Sequence, residues 1–417
     1  MNDLKILTLT PSYDAYVKEF TETVASNVKN ITVFVHRNIL VEFSKYFPKR
    51  GYIRYLNRYT KENILDLENV PNNINIEVAS LLYLLPDGKN SFLGDRVSKR
   101  IENIIRTKNL KFDIIHAHET WISGYVGIKL SKIFNTPAVI TTHNIGYSPF
   151  DIDIVREESR RVPMIITSND EIKYNINRQI QMKYKSALQE ADALISVNMK
   201  SLRVLKTFNK NVFYIPNGYN ARRIYPINRE LAREILGLPK NKKILFGLSA
   251  LVRKKGFQYL IPAIKRVLRE RDDIICFIGG DGLMRDALQN LIKTLDLNKY
   301  VKLIGYVSSE KNYWLNAADL FVYPALLESF GIPVLEALGV GTPVVATING
   351  GSEEIIISDE YGLLTKPVDP NDLAEKILIV LEKDWDRKKI RNYAEQFTWD
   401  DIARQTIKVY EEILRSY

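Results

Sequence analysis

The sequence predicts an α/β protein made of two doubly wound parallel-sheet domains in tandem. Three observations predict it. At 417 residues the chain is longer than one core supports, because cores stop growing at roughly 250–300 residues. Short β-branched runs alternate with stretches of helical spacing, the pattern of βαβ units. That rhythm halts near 217–226 and then restarts.

In the first half LKILTLT (4–10), ITVFVH (31–36), FDIIHAH (112–118), PAVITTH (137–143), DALISV (192–197) and VFYIP (212–216) read as buried strands. Segments 96–110 and 121–135 carry helical spacing between them. Asn217-Gly218 and Pro226 are turn signals that mark a hinge. KKILFGLSA (242–250), DIICFIGG (273–280), VKLIGYV (301–307), LFVYPAL (320–326) and TPVVATI (342–348) then repeat the strand pattern. The expected domains are 1–217 and 222–399, with a C-terminal helix at about 400–417 packing back on the first. Open parallel sheets bind ligands beyond the carboxyl ends of their strands. Functional residues are therefore expected just after strands, in a cleft between the halves.

Composition narrows the function. A hydrophobic fraction of 46% and a charged fraction of 26% exclude disordered and collagen-like chains. No run approaches the roughly 18 apolar residues of a membrane span. The start, MNDLKILTLTPSYDAY, lacks the ordered parts of a secretory signal, which predicts a cytoplasmic protein. The lone cysteine, Cys276, lies in the apolar run IICFIGG and reads as an inert core thiol. The net charge of +10 falls mostly in the first half. Such a surface attracts nucleic acid, anionic membrane or phosphorylated substrates, and charge alone does not choose among them.

The richest segment runs from Tyr323 to Leu338. A strand ends near Pro324, a loop carries Glu328, Gly331 permits a tight turn, and Pro333 suits the first turn of a helix. Ser329 to Ile332 then present backbone N–H groups at a helix N-terminus, where phosphate or sugar oxygens bind. Glu328 and Glu336 border that place. By themselves they read equally well as two solvated glutamates.

The surrounding pattern resembles a known family. Glu328-SFGIPVL-Glu336 is the E-x7-E signature of retaining glycosyltransferases of the GT-B fold, and the chain is similar to glycosyltransferase family 4. Lys255-Gly256, Gly280-Asp281-Gly282, Gly305-Tyr306-Val307, Ala317-Ala318-Asp319, Gly341-Thr342-Pro343, Gly350-Gly351 and Gly362-Leu363-Leu364 follow in the family's order. Asp113 through His118, Thr142-His143, Ala191-Asp192 and Ile215 through Gly218 match more loosely. The resemblance implies a GT-B architecture, two Rossmann-like domains facing each other across a cleft, with the donor in the second and the acceptor in the first. It implies that Glu336 holds the donor ribose and that Glu328 meets the transferred sugar. Ser329, Phe330, Gly331 and Ile332 meet sugar hydroxyls and diphosphate through the backbone, Tyr306 and Val307 meet the base, and Lys255 meets the diphosphate. A carboxylate suits a vicinal diol, because it accepts two hydrogen bonds, and a lysine offsets leaving-group charge.

A lone histidine after a strand is more often structural, but the resemblance gives His143 a place facing the sugar. His116 and His118 share one strand face at i and i+2, a spacing that metal sites use, yet no Asp or Cys recurs at ligand spacing. No metal cofactor is expected. The co-substrate is a nucleoside-diphosphate sugar. Two positions depart from the family pattern. The first βα loop reads Pro11 to Tyr16 where the family carries Gly-Gly, leaving Tyr13, Asp14 or Tyr16 to contact donor or acceptor. The arginine usual five residues before the lysine is Ala250, with Arg253 or Lys254 as the substitute cation.

Segment 44–61 carries Lys45, Lys49, Arg50, Arg54, Arg58 and Lys61 among Tyr46, Phe47, Tyr52, Tyr55 and Tyr59, with no acidic residue. It reads as a solvated face, as an anionic-membrane surface or as a nucleic-acid surface. Its place in the acceptor half favours membrane over nucleic acid, with a glycan or lipid-linked acceptor and a peripheral position at the membrane. A dinucleotide oxidoreductase is excluded, because no glycine precedes Gly51 and the first turn lacks G-x-G-x-x-G. A non-catalytic membrane- or nucleic-acid-binding protein and a nucleotide-sugar epimerase stand as alternatives.

Overall fold

The computed structural model describes residues 3–13, 15–46, 60–65, 70–84, 90–143 and 178–417. They form two compact units, Met1–Pro216 with Trp399–Tyr417, and Asn217–Thr398. The first carries β1 (Lys5–Thr10), β2 (Asn30–Asn38), β3 (Ile74–Leu81), β4 (Ile114–His118), β5 (Ala138–Thr142), β6 (Ala193–Ser196) and β7 (Val212–Tyr214). Their order is β3-β2-β1-β4-β5-β6-β7, and every neighbouring pair is parallel. The second carries β8 (Lys243–Leu248), β9 (Ile274–Gly279), β10 (Val301–Gly305), β11 (Leu320–Tyr323), β12 (Val344–Thr347) and β13 (Gly362–Thr365). Their order is β10-β9-β8-β11-β12-β13, again all parallel.

The apolar runs explain the parallel sheets. Neighbouring residues of a strand face opposite sides of the sheet, and Leu245 and Phe246 of β8 are both fully buried. Leu245 joins the core around Ile264, Cys276 and Ile377, while Phe246 joins the core around Trp314, Phe321 and Leu335. Both faces are thus covered by helices, as a parallel sheet requires. Cys276 is fully buried there, and burial pushes its thiol up to about 12.

Three elements differ from the sequence expectation. β3 and β13 are both edge strands, and neither was expected. Asn75 and Glu77 interrupt the apolar run of β3, which is only partly buried, and β13 is four residues long. The helix expected over 121–135 starts only at Tyr125. Before it, Glu119 and Ile122 hold φ of 77° and 64°, rare for non-glycine residues. Ile122 keeps that strained backbone because its side chain is buried in the core against β4 and β5 neighbours. The stretch 218–221 also belongs with the second unit: Tyr219 is buried, bonds Phe397 through its N–H at 3.0 Å, and lies against Gly339.

The last helix, Trp399–Ser416, packs on the helix Ala15–Ala25 of the first unit. The Trp399 indole N–H donates to Glu19 at 3.0 Å, and the Tyr410 hydroxyl lies 2.6 Å from Nδ1 of buried His116. Tyr410→Phe leaves that ring nitrogen buried without its partner. The expected cost is about 1–3 kcal/mol, read as a lower urea midpoint of unfolding; an unchanged midpoint removes the bond from the fold's support.

Candidate active site

In the second unit the strand order reverses between β8 and β11. The chain leaves these two neighbours in opposite directions, which opens a crevice at their carboxyl ends. β8 runs into the turn Arg253–Lys255, and β11 runs into the loop before the helix Ile332–Gly339. The two loops dock on each other. The Leu326 N–H donates to the Lys254 carbonyl at 2.8 Å. Gly256 has φ of 73°, and a Cβ there would lie 1.7 Å from the Pro324 carbonyl oxygen, so glycine is required.

This docking brings Lys255 onto Glu328. The Lys255 ammonium and the Glu328 carboxylate form an ion pair, each side chain 15% exposed, and the Tyr323 hydroxyl donates to the same Oε1 at 2.9 Å. Burial acts to lower the basicity of Lys255, but Tyr323 and Glu328 outweigh it and hold the ammonium above its usual range. Burial, reinforced by Glu328, raises the Tyr323 hydroxyl likewise. The pair is a charged, mutually compensated unit.

The Glu328 loop is held from behind by the segment after β12. The Glu328 N–H donates to the Asn349 carbonyl at 2.9 Å. Asn349 Oδ1 accepts from the N–H groups of Gly351 and Ser352, and the Glu353 carboxylate accepts from Asn349 and Gly350. Phe330 is buried and anchors the loop in the core. Gly331, at φ of 99°, turns the chain into the helix, which no side chain caps at its start. Pro333 sits in its first turn, as expected. Glu336, one turn in, is 4% exposed and ion-paired with Lys311. Ser329 precedes Phe330 on the same loop, and Ile332 after Gly331 is the first residue of the helix. Tyr306 is exposed after β10, while Val307 is buried in the core beside Trp314. Arg253 is exposed on the Lys255 turn, its carbonyl accepting from Gln258 at 2.8 Å, and Ala250 is exposed at the end of β8.

The first unit reverses its strand order between β1 and β4. Here the structure gathers Tyr16, Glu119, His118 and His143. The Tyr16 ring lies 4.6 Å from His143, and its hydroxyl donates to Glu119 at 3.5 Å. His143 is not the lone histidine that the sequence suggests: its Nε2 lies 2.9 Å from His118 Nδ1, with the rings stacked. Beside them His116 is occupied at both nitrogens, by Thr141 at 2.7 Å and by Tyr410. Tyr13 does not join this group; its ring is 4% exposed and its hydroxyl has no hydrogen-bond partner among the described residues. Asp14 and residues 47–59 of the basic segment lie outside the described residues. Among the described residues no group of three His, Cys, Asp or Glu is placed to hold a metal ion, and no helix is long and apolar enough to cross a membrane.

Sequence reasoning missed Lys311, Tyr323 as a partner of Glu328, Asn349 and the His118–His143 contact. Only the last carried a signal, since His118 and His143 each end a predicted strand.

The two sheets and their switch-point groups match a known architecture. Sucrose-phosphate synthase from Thermosynechococcus elongatus superposes with a TM-score of 0.76 at 22% identity, covering 99% of this chain and 100% of that one. Anabaena HepE in complex with UDP-glucose superposes with a TM-score of 0.67 at 20% identity, over 98% and 100%. The fold is therefore GT-B. Glycosyl transferases group 1 matches residues 228–397, and Glycosyltransferase Family 4 matches residues 38–223. A D-inositol 3-phosphate glycosyltransferase of Corynebacterium jeikeium is 30% identical over 330 residues, 74% of each chain. The chain belongs to this glycosyltransferase family.

The buried histidines make stability depend on pH. Burial pulls His36 down to about 4 and His118 to about 3, and it pulls His116 well below its usual value, with His118 and His143 adding to that. These rings are neutral when folded and protonate more readily when unfolded. Their contribution is complete above about 6.5 and is lost as pH falls toward the folded values, at about 1.4 kcal/mol per pH unit for each ring. Urea midpoints measured from pH 7 down to 4 are expected to fall steeply, and His118→Gln is expected to flatten that fall.

Proposed function

We propose that this glycosyltransferase is retaining. It moves a sugar from a nucleoside-diphosphate donor to an acceptor hydroxyl on a glycan or lipid-linked glycan, without a catalytic metal. The observation that carries the reading is the Lys255–Glu328 pair at the switch point, beside the uncapped helix entered through Gly331. A donor diphosphate competes with Glu328 for Lys255. Its arrival frees the carboxylate to accept hydrogen bonds from the sugar, while the backbone around Phe330 and Gly331 donates to the phosphates. Glu336 takes the ribose hydroxyls, and Tyr306 and Val307 meet the base. The UDP-glucose bound to HepE supports a nucleotide sugar of that kind.

The bond from the anomeric carbon to the diphosphate oxygen breaks, and the diphosphate leaves with the electron pair. The acceptor oxygen bonds the same face, and its proton passes to the departing diphosphate. Lys255 offsets the charge on the leaving group, with Arg253 two residues before it as a second cation. His143, aligned by His118 and Tyr16, donates to the sugar in flight. Positioning and electrostatics carry the rate, with no protein nucleophile.

Incubation with a panel of nucleotide sugars and candidate acceptors, followed by NMR of the product's anomeric proton, tests the reading; an inverted anomer or hydrolysis alone overturns it. Glu336→Ala is expected to weaken donor binding by about 1.5–3 kcal/mol in calorimetry. Glu328→Gln is expected to lower turnover more than donor affinity.

The acceptor side includes a cytoplasmic membrane surface. The turn Ile39–Tyr46, which leads into the basic segment, exposes Ile39, Phe43 and Tyr46, and Leu82 and Leu84 are exposed after β3. Apolar groups beside Lys and Arg suit an anionic headgroup layer, at about 1 kcal/mol per nearby cation. The protein is expected to sediment with phosphatidylglycerol vesicles at about 0.05 M salt and to be released at about 0.5 M. Changing Lys49, Arg50, Arg54 and Arg58 to Gln is expected to abolish that binding and leave donor affinity intact.

A further inference from the structure

The second unit has a cavity at the other end of its sheet. Its volume is about 470 Å³, within the range of small-molecule sites. Arg229, Asn316, Val340, Arg387, Lys388 and Arg391 line it. Asn316 and Val340 precede β11 and β12, so the cavity opens at the amino ends of these strands. The Glu328 loop leaves from their carboxyl ends. Between Asp319 and Pro324 runs about 16 Å of strand, at 3.3 Å per residue. The cavity is therefore separate from the donor end and independent of the function proposed above.

Four cations line this cavity and no carboxylate does. Nearby acid is already engaged. Asp319 accepts from Arg229 at 2.9 Å, from Arg233 at 2.6 Å and from the Ile244 N–H at 2.7 Å. Arg391 pairs loosely with Glu395 at 3.7 Å. Lys388 is exposed and has no hydrogen-bond or ion-pair partner among the described residues. Arg387 donates to the Ala318 carbonyl at 2.8 Å and to Thr342 at 3.4 Å, which leaves part of its fork of N–H donors unused.

The local charge also runs against the helix it sits on. Arg387, Lys388 and Lys389 open the helix Arg387–Ala394, the end where the dipole favours anions. Asp386 caps that end by accepting from the Lys389 N–H, so the cations are not there as caps. Arg387 and Arg391 stand one turn apart on the same face. Burial, and then the repulsion of Arg229, pulls the Arg387 guanidinium down to about 10. Cations packed together without enough counter-charge signal a place where an anion supplies it.

We infer that this cavity is a binding site for a small phosphorylated anion, held by Arg229, Arg387, Lys388 and Arg391. Planar guanidinium forks bind phosphate oxygens in pairs, and the lysine adds a point charge at the mouth. The volume admits a diphosphate or a sugar phosphate. A ligand here presses on the helices before β11 and β12, the strands that carry the Glu328 loop and its Asn349 support.

Calorimetry of the full chain with inorganic pyrophosphate tests this. Lys255→Ala protein is used first, so that binding at the donor end is weakened. Saturable binding is expected, and adding Lys388→Gln and Arg391→Gln is expected to lower the affinity at least tenfold. Lys388→Glu alone, at an exposed side chain without a partner, keeps the fold intact and is expected to lower it further. Binding that is absent in Lys255→Ala protein, or that ignores Lys388→Glu, overturns the site. Neither result bears on transferase activity, which the product assay reads separately.

Discussion

A lysine ammonium taken out of water needs a counter-charge nearby, and the architecture of the second unit follows from where Lys255 finds one. The ammonium lies against Glu328 because two loops from neighbouring strands are locked together. Removing one partner of such a pair leaves an uncompensated charge, at a cost of about 3–5 kcal/mol. The same interaction compensates both charges at the site. Under the function proposed above, a diphosphate would offer Lys255 a stronger partner than one carboxylate, and binding would swap counter-ions rather than expose a bare charge. Gly256, Pro324 and the Asn349 loop hold the pair in place, since each fixes one of the two backbones that carry it.

Both halves of the fold and the Glu328–Glu336 segment were legible in the sequence, because their signals are local. Alternating apolar runs report buried strands within a few residues. Gly331 and Pro333 report a helix start within one turn. What stayed hidden is set by long separations. Lys311 lies 25 residues before Glu336, and Tyr410 lies 294 residues after His116. No periodicity links such positions; only the folded sheet brings them together. The edge strands were illegible for a different reason. One side of an edge strand has no neighbour, so β3 tolerates Asn75 and Glu77, and the apolar pattern that marks a central strand is diluted.

The two switch points solve the burial of polar groups in different ways. The second unit buries opposite charges in contact. The first buries His116 and His118 as neutral rings, one bonded to Thr141 and Tyr410 and the other against His143. Charged pairs keep their strength over a wide pH range but are costly to separate. Neutral histidines are cheaper to rearrange, and they stay uncharged only while protons are scarce. The contacts of His143 with His118 and Tyr16 hold its ring in one orientation.

The helix Trp399–Ser416 has a consequence for the birth of the protein. The first unit is begun before the second but lacks the helix that packs on Phe20 and His116 until the second has been made. At about 5–20 residues per second, translating the whole second unit takes on the order of ten to forty seconds. Through that interval the helix Ala15–Ala25 lacks its contact with Trp399–Ser416. The second unit is continuous in sequence and closes as it emerges. The order of completion is therefore the reverse of the order of synthesis: the unit begun second is whole before the unit begun first.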